Sequence, residues 1–227
     1  MIDVIVTSIE QQAQDILGFE LAREDGEPLP AFSAGAHIDV HLPDGLIRQY
    51  SLCNHPEERH RYQIAVLRNA DSRGGSIAMH GLQQGVRLRI SEPRNLFPLQ
   101  HDAKRHLLMA GGIGITPILC MAERLSHTGG DFTLHYFARS AQQAAFVERL
   151  RQSPFADRVH LHFDDGEPGK RPDTAVLIGP ADPHTHLYVC GPGGFMEHVL
   201  GSARDLGWAN DNLHREYFSA EADDQPK

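Results

Sequence analysis

Two glycine-rich turns, each between an apolar run and a helix-like segment, are the parts of this sequence best suited to hold a ligand. The first is Gly111-Gly112-Ile113-Gly114-Ile115-Thr116-Pro117, and the second is Cys190-Gly191-Pro192-Gly193-Gly194. Glycines let a backbone approach a ligand closely, and the free N–H groups at the start of a helix attract negative charge. The first turn is not G-x-G-x-x-G, because Pro117 replaces the third glycine, and no Gly-Lys-Ser/Thr of a P-loop follows it. Taken alone, it also fits a tight strand-to-helix turn without a ligand.

The segments around these turns alternate between strand and helix patterns. Hydrophobic periodicity predicts strands at 106–111, 132–138, 159–163, 175–179, 186–190 and 213–218, and helices at 117–127, 144–150 and 195–207. This alternation is typical of a doubly wound parallel sheet with helices on both faces, where ligands bind beyond the carboxyl ends of the strands. We therefore expect the two turns to form two walls of one cleft. Cys190 then lies at its lip or, alternatively, is a small buried residue at a strand end.

The first hundred residues follow a strand rhythm instead. Period-two patterns predict strands at 2–9, 16–22, 37–42, 46–53, 61–68 and 86–91, with one short helix at 75–82. Pro43-Asp44-Gly45 is a strong hairpin signal between two of them. Six short antiparallel strands suggest a closed barrel. We predict a β-barrel domain at 1–102 and an α/β domain at 103–227, ending in a polar tail.

Composition excludes several classes of function. The net charge of −9 argues against a nucleic-acid partner. The three cysteines lie far apart without a C-x-x-C pair, so we expect neither zinc nor an iron–sulfur cluster, and the sparse count fits a reducing cytoplasm. Close histidine pairs occur only at 160/162 and 184/186, so no metal site is predicted. The longest apolar stretch, 107–122, is too interrupted to span a membrane.

Three motifs, in this order, resemble those of the ferredoxin–NADP reductase superfamily. Arg48-Gln49-Tyr50-Ser51 resembles its R-x-Y-S flavin motif, residues 111–117 its nicotinamide-nucleotide turn, and Cys190-Gly191-Pro192 its second nucleotide motif. RQYSLCN, RGGSIAMH, SEPRNLFPL and AGGIGITPIL are most similar to one branch, the reductase components of Rieske oxygenases of the phthalate dioxygenase and vanillate demethylase type. The resemblance covers essentially the whole chain.

The resemblance implies a flavin barrel followed by an NAD(P)H domain, with FMN in place of FAD and NADH as the preferred nucleotide. It implies hydride transfer from NADH to the flavin, then single electrons to an iron–sulfur ferredoxin domain or a Rieske oxygenase. Members of this branch usually carry a carboxyl-terminal [2Fe–2S] domain, whereas this sequence holds no C-x4-C-x2-C. A truncated sequence and a separate iron–sulfur partner both remain open. The same motifs also fit a stand-alone FAD-dependent flavodoxin, ferredoxin or flavin reductase, and a non-catalytic flavin-binding module.

The resemblance also assigns roles within the flavin motif. The Arg48 guanidinium is expected to bind the flavin phosphate, because its planar fork of donors matches a phosphate. Tyr50 is expected along the flavin ring or ribityl chain, and Ser51 near the flavin N5. Arg48 could instead be a surface arginine, and Tyr50 and Ser51 could serve ordinary barrel packing. Arg73, Gly74, Gly75 and Ser76 suggest a second phosphate cradle, or a turn with Ser76 as the helix N-cap.

The nucleotide domain receives its roles in the same way. Thr116 and the backbone of 112–115 are expected to touch the nicotinamide and pyrophosphate, and Arg139 and Ser140 the adenosine. Arg139 suits a 2′-phosphate, but Asp164-Asp165 would repel one, which favours NADH. Phe218 is expected near the flavin or in the core. The catalytic candidates are Ser51, Thr116 and Cys190. Further cofactor-binding candidates lie beside these residues: Gln49, Leu52, Gly111, Gly112, Gly114, Pro117, Gly191 and Pro192.

Overall fold

A computed structural model describes residues 1–43, 45–69, 74–165 and 172–218. The amino-terminal half consists of β1 (Ile2–Ala13), β2 (Ile16–Ala22), β3 (Ala36–His41), β4 (Ile47–Ser51), β5 (Tyr62–Leu67), α1 (Gly75–His80), β6 (Arg87–Ile90) and β7 (Arg94–Asn95). The antiparallel strands follow the order β4-β3-β6-β1-β2-β5, and the two-residue β7 pairs with β3. Alternate residues such as Val4, Val6 and Leu21 are buried inside, as the period-two pattern predicts.

The open ends of this sheet are joined by the segment that follows β4. The Cys53 N–H donates to the Gln63 carbonyl (2.9 Å), and the Asn54 side-chain oxygen accepts from the Gln63 N–H (2.9 Å). Asn54 is fully buried, so its amide replaces part of a strand ladder at the point where the sheet closes. The antiparallel six-stranded barrel is therefore confirmed, with β7 as an addition.

The carboxyl-terminal half contains β8 (Arg105–Gly111), α2 (Ile115–Thr128), β9 (Asp131–Ala138), α3 (Val147–Gln152), β10 (Val159–Phe163), α4 (Thr174–Ile178), β11 (Thr185–Cys190), α5 (Gly193–Asp205) and β12 (Leu213–Glu216). Its strands pair in parallel in the order β10-β9-β8-β11-β12. The doubly wound parallel sheet is thus confirmed. Its strand order reverses between β8 and β11, the neighbouring strands that lead into the two glycine turns.

The predicted strand at 175–179 is wrong, because this segment is helix α4. The Asp173 carboxylate accepts a hydrogen bond from the Ala175 N–H (2.9 Å) and caps the helix start, and Gly179 follows its end with a φ of 70°. A short apolar run looks the same in a buried strand and in a short helix. The last strand also ends earlier than expected, at Glu216, which leaves Phe218 beyond it.

One hydrophobic core spans the two halves. Ile16, Cys53 and Phe97 of the barrel pack in the same cluster as Cys120 of α2 and Tyr188 of β11. The barrel therefore rests against the α2 side of the parallel sheet, while α4 and α5 cover the other side. The predicted boundary between residues 102 and 103 lies between β7 and β8 and stays a prediction. Every helix in the described part of the chain is too short or too polar to cross a membrane.

Candidate functional site

The two glycine turns lie side by side at the centre of the parallel sheet. A Cβ atom on Gly114 would overlap the backbone of Cys190 and would lie 2.6 Å from the Gly191 nitrogen. A Cβ atom on Gly191 would in turn lie 2.9 Å from the Gly111 Cα. Since real side chains do not fit at such distances, these glycines allow the two turns to touch through their backbones.

Other glycines of the same turns face outward. Among the described residues, nothing lies within 4 Å of a Cβ built on Gly112, Gly193 or Gly194. Gly112 also has a φ of 54°, which favours glycine. This open side of the paired turns, with the start of α2 behind it, has the features that a dinucleotide phosphate needs.

Thr116 and Pro117 lie in the first turn of α2 and are both buried. The Thr116 side chain is 2% exposed, and its hydroxyl donates to the Ile113 carbonyl (3.1 Å). Thr116 therefore shapes the turn. Its predicted contact with the nicotinamide stays a prediction.

On the barrel, Arg48 and the start of α1 form one cradle. The Arg48 side chain lies directly over Gly75, where a Cβ would come within 2.6 Å of the arginine Cγ and 2.8 Å of its Cδ. Gly74 precedes the helix with a φ of 93°. A guanidinium beside backbone N–H groups fits a phosphate, so these residues suit the phosphate of a flavin.

Ser76 has a different local role from the predicted cap. Gly74 is the N-cap residue of α1, so the assignment of Ser76 as the N-cap is wrong. The Ser76 hydroxyl instead accepts a hydrogen bond from the Asn69 N–H (3.2 Å), which ties the helix to the chain after β5. Arg73, the fourth member of the predicted cradle, lies outside the described residues.

The residues of β4, and Leu52 directly after it, differ in how far their side chains are buried. Arg48 and Tyr50 are half-buried, and burial raises the pKa of the Tyr50 phenol to about 12, so it stays neutral. The exposed Gln49 donates to the Asp39 carboxylate (3.4 Å) on the outer surface. Leu52 is fully buried in the barrel core. The side chains of Gln49 and Leu52 are thus already occupied, and their predicted contact with a cofactor remains untested.

Ser51 connects the barrel to the last strand of the parallel sheet. Its hydroxyl donates to Oε2 of Glu216 (3.2 Å), and the side chain is 5% exposed. His37, the partner of Ser51 across β3 and β4, places Nδ1 3.8 Å from Oε1 of the same carboxylate. Cys190 pairs with Glu216 between β11 and β12. Strand β4, which carries the R-x-Y-S motif and is called the flavin strand below, therefore meets the second glycine turn at one carboxylate that is 13% exposed.

Burial sets the charges of this cluster. It raises the pKa of Glu216 from its ordinary 4.5 to about 7, and the hydrogen bond from Ser51 opposes this only in part. Burial, with Glu216 nearby, holds the pKa of the Cys190 thiol well above 9, so the thiol is neutral. Burial and then Arg94 lower the pKa of His37. At neutral pH the cluster can therefore hold or release a proton at Glu216, whereas Cys190 has no nucleophilic thiolate.

The sequence patterns did not point to Glu216 or His37. A glutamate in a short terminal strand and a histidine in a barrel strand both look like surface residues when their partners are unknown. The strand pairings of His37 with Ser51 and of Cys190 with Glu216 bring them together. The sequence predicted a strand at 213–218 that includes Glu216, but it did not indicate which strand would lie beside it.

The predicted adenosine residues lie at the same edge of the sheet. Arg139 is exposed just after β9, and its carbonyl accepts from the Asp165 N–H (3.1 Å). The Ala138 carbonyl accepts from the Asp164 N–H (3.1 Å), so both aspartates lie next to Arg139 and Ser140. Phe218 is 44% exposed, which rules out a core phenylalanine at this position. Its contact with a flavin stays a prediction.

The histidines do not assemble a metal centre in the described residues, where no group of three or more His, Cys, Asp or Glu is arranged to hold an ion. His160 and His162 of the H-x-H pair stack on His135 of the neighbouring strand. Burial lowers the pKa of His135 to about 4, followed by the repulsion of the other two rings. His135 is therefore neutral and packs between the other two rings on the sheet.

No family model matches the chain. Individual proteins, however, match it over almost its whole length. Vanillate O-demethylase oxidoreductase from Pseudomonas putida is 61% identical over 221 residues, which cover 97% of this chain and 69% of that protein. The carnitine monooxygenase reductase subunit of Escherichia coli is 42% identical over 225 residues, covering 97% of this chain and 70% of the subunit.

Among solved structures, phthalate dioxygenase reductase is described as modular, for electron transfer from pyridine nucleotides to [2Fe–2S]. It matches with a TM-score of 0.91 and 40% identity, over 97% of this chain and 68% of its own. The sequence identity, the coverage and the arrangement of the two halves all indicate the same family. The chain therefore belongs to the oxygenase reductases of the ferredoxin–NADP reductase superfamily, which are NAD(P)H-dependent flavoprotein oxidoreductases.

Proposed function

We propose that this chain transfers a hydride from NADH to bound FMN and then passes single electrons to the iron–sulfur acceptor of an oxygenase that acts on an aromatic carboxylate. The main support is the 3.2 Å hydrogen bond from Ser51 to Glu216, which joins the flavin strand to the sheet edge where the glycine turns open. When bound, a flavin accepts two electrons with a hydride and releases them one at a time.

The phosphate cradle supports FMN. Arg48 and the backbone at Gly74 and Gly75 form a compact site for one terminal phosphate, which is what FMN carries. Burial of the Arg48 stem over Gly75 holds the guanidinium in place, so the phosphate fixes the position of the ring system. In this role Arg48 binds and orients, and takes no part in the chemistry.

The charge at the outer end of the nucleotide site supports NADH. Backbone hydrogen bonds place Asp164 and Asp165 beside Arg139, so the described residues at this position include two acidic side chains and one basic side chain. A 2′-phosphate would meet more negative than positive charge there, whereas a ribose 2′-hydroxyl would not be repelled.

We place Ser51, Glu216 and Cys190 at the inner wall of the proposed cleft, where Cys190 is fully buried and Ser51 nearly so. The Ser51 Oγ and the Glu216 Oε2 can hold and exchange a proton at neutral pH, because the pKa of Glu216 is about 7. The neutral Cys190 thiol fills the wall without adding a charge. The wall therefore excludes water and keeps a proton within reach of the reacting rings, while the glycine turns position the nucleotide.

The choice of an aromatic carboxylate follows the relatives' names. The Pseudomonas putida relative is named for vanillate and the structural relative for phthalate, and both compounds are aromatic carboxylates. The Escherichia coli relative is named for carnitine, so the reductase fold does not itself select the oxidised compound. An acceptor that carries a [2Fe–2S] cluster matches the description of phthalate dioxygenase reductase.

The test combines flavin identification with reduction under anaerobic conditions. The flavin released from the purified protein is weighed by mass spectrometry, and the loaded protein is mixed with NADH or NADPH while the flavin absorbance is followed. We expect FMN, and bleaching by NADH that is at least about tenfold more efficient than by NADPH. Bound FAD, a preference for NADPH, or no bleaching would each contradict the corresponding part of the proposal.

A further inference from the structure

A single arginine on α3 joins the two halves of the protein behind the cleft. The Arg149 Nε donates to Oε1 of Glu123 (2.9 Å), and Nη2 lies 2.6 Å from the same oxygen. Its Nη1 donates to the Gln63 side-chain oxygen (2.6 Å), and Nη2 also donates to the Cys53 carbonyl (3.3 Å). Arg149 and Glu123 belong to the nucleotide half, and Gln63 and Cys53 to the barrel.

The partners of Arg149 lie close in the chain to the proposed nucleotide site and to the proposed flavin site. Glu123 lies on α2, the helix whose first turn continues the nucleotide turn 111–117. Cys53 lies two residues after Ser51, the last residue of the strand that carries the flavin motif. One guanidinium therefore holds the helix behind the nicotinamide turn against the end of the flavin strand.

We propose that Arg149 is a positioning residue that sets the distance between the flavin strand and the nicotinamide turn. The inference rests on the proposed hydride transfer and adds a requirement to it. Hydride transfer needs the reacting atoms about 3–3.5 Å apart, and a misplacement of about 1 Å can cost roughly a hundredfold in rate. A residue outside the cleft can therefore control the rate if it fixes the spacing between the two halves.

The surroundings of Arg149 make it suited to this task. The Glu123 side chain is 16% exposed, and burial raises its pKa although Arg149 lies beside it. A buried carboxylate needs this partner, so the pair resists opening. A cavity of about 780 Å³, lined in part by His55, Ser126 and Phe155, opens next to Arg149. The hydrogen bonds of Arg149 therefore add fixed donor–acceptor distances to a seam that the shared hydrophobic core also holds together.

A second arginine that reaches across the same seam provides a matched control. Arg124, also on α2, donates to Glu57 in the barrel loop after β4 (3.3 Å). Both side chains are exposed, at 40% and 58%, so solvent screens their attraction and the contact imposes little geometry. Arg124→Met removes an arginine that bridges the halves without touching the end of the flavin strand.

The experiment compares the wild-type flavin-loaded protein with Arg149→Met, Arg149→Lys, Arg124→Met and the double variant Glu123→Gln/Arg149→Met. Anaerobic stopped-flow measurements give the rate of flavin bleaching at saturating NADH and the NADH concentration for half-saturation. A second mixing experiment reoxidises dithionite-reduced flavin with ferricyanide, which needs no nicotinamide. The long-wavelength charge-transfer absorbance of the reduced protein with NAD+ reports ring stacking without turnover.

We expect Arg149→Met to slow bleaching at saturating NADH by about tenfold or more, since the rings no longer meet at the required distance. Its charge-transfer absorbance should fall, while ferricyanide reoxidation and flavin content stay unchanged. Arg149→Lys should restore the charge but not the rate, because an ammonium cannot span three acceptors as a fork does. Arg124→Met should match the wild type within about twofold.

The double variant separates positioning from folding. Glu123→Gln removes the carboxylate that Arg149→Met would leave buried and unpaired, so the double variant should fold and still bleach slowly. If Arg149→Met alone is unstable, the bleaching rate of the double variant tests whether Arg149 positions the two halves. The inference is overturned if the folded double variant bleaches at the wild-type rate, if Arg124→Met slows bleaching equally, or if ferricyanide reoxidation slows in parallel. A wild-type protein that NADH does not bleach would instead overturn the proposed function.

Discussion

Replacement of Glu216 by glutamine should make the protein more stable at alkaline pH and leave it unchanged in acid. Glu216 lies at the end of β12 with 13% of its side chain exposed, and accepts a hydrogen bond from Ser51. A glutamine oxygen can still accept this bond, so the substitution removes mainly the ionisable proton. The change in stability with pH then isolates the cost of ionising this buried carboxyl.

The magnitude follows from the raised pKa. Below 4.5 the carboxyl is protonated in both the folded and the unfolded chain, so folding costs nothing extra. Between 4.5 and about 7 the unfolded chain loses its proton while the folded chain keeps it, and the free energy of unfolding falls as pH rises. A pKa raised from 4.5 to about 7 corresponds to about 3 kcal/mol. Relative to the wild type, Glu216→Gln should therefore gain about 3 kcal/mol between acid and mildly alkaline pH.

The assay is urea unfolding of the flavin-free proteins at a series of pH values, followed by fluorescence and repeated with flavin bound. Glu197→Gln on the exposed face of α5 is the control, because it makes the same chemical change at a side chain that folding does not bury. Curves for Glu216→Gln and wild type that run parallel, within about 0.5 kcal/mol across the range, would refute the assignment of a buried, proton-holding carboxyl.

Three further predictions concern the glycines, and a fourth concerns the thiols. Gly114→Ala should lower the free energy of unfolding by about 1–3 kcal/mol in urea melts, because its Cβ overlaps the Cys190 backbone, and a normal melting curve would contradict the contact between the turns. Gly112→Ala should cost about 1–2 kcal/mol through its positive φ and should weaken NADH binding in equilibrium titrations, and unchanged NADH affinity would place the nucleotide elsewhere. Gly75→Ala should reduce FMN affinity in fluorescence titrations, because its Cβ would displace Arg48. An unaltered affinity would contradict the proposal that Arg48 binds the flavin phosphate. The three cysteines are buried and should resist iodoacetamide in the native protein up to about pH 9, so rapid labelling without urea would argue against their burial.

The fold was largely predictable because its signals are local. The period-two strands, the Pro43-Asp44-Gly45 hairpin signal and the apolar runs before the glycine turns each depend on a few neighbouring residues. The segment 175–179 misled for the same reason, since its apolar residues fit a strand and a helix equally well. The Asp173 cap before it was the local signal for a helix.

The site was predictable only in part because much of it depends on contacts between distant residues. The glycine turns and Arg48 stand out by type and spacing. Glu216 meets Ser51 across 165 positions of the chain, and Arg149 meets Cys53 across 96. Such contacts depend on strand register and on how the barrel packs against α2, which no short segment encodes.

The most direct test of the shared cleft is an anaerobic single-turnover reaction with NADH that carries deuterium on the transferred position of the nicotinamide ring. If the glycine turns bring this ring against the flavin beside Ser51, the bound flavin bleaches, and deuterium slows the bleaching relative to unlabelled NADH. A flavin that stays oxidised, or that bleaches at the same rate with both forms of NADH, would contradict direct hydride transfer within the cleft.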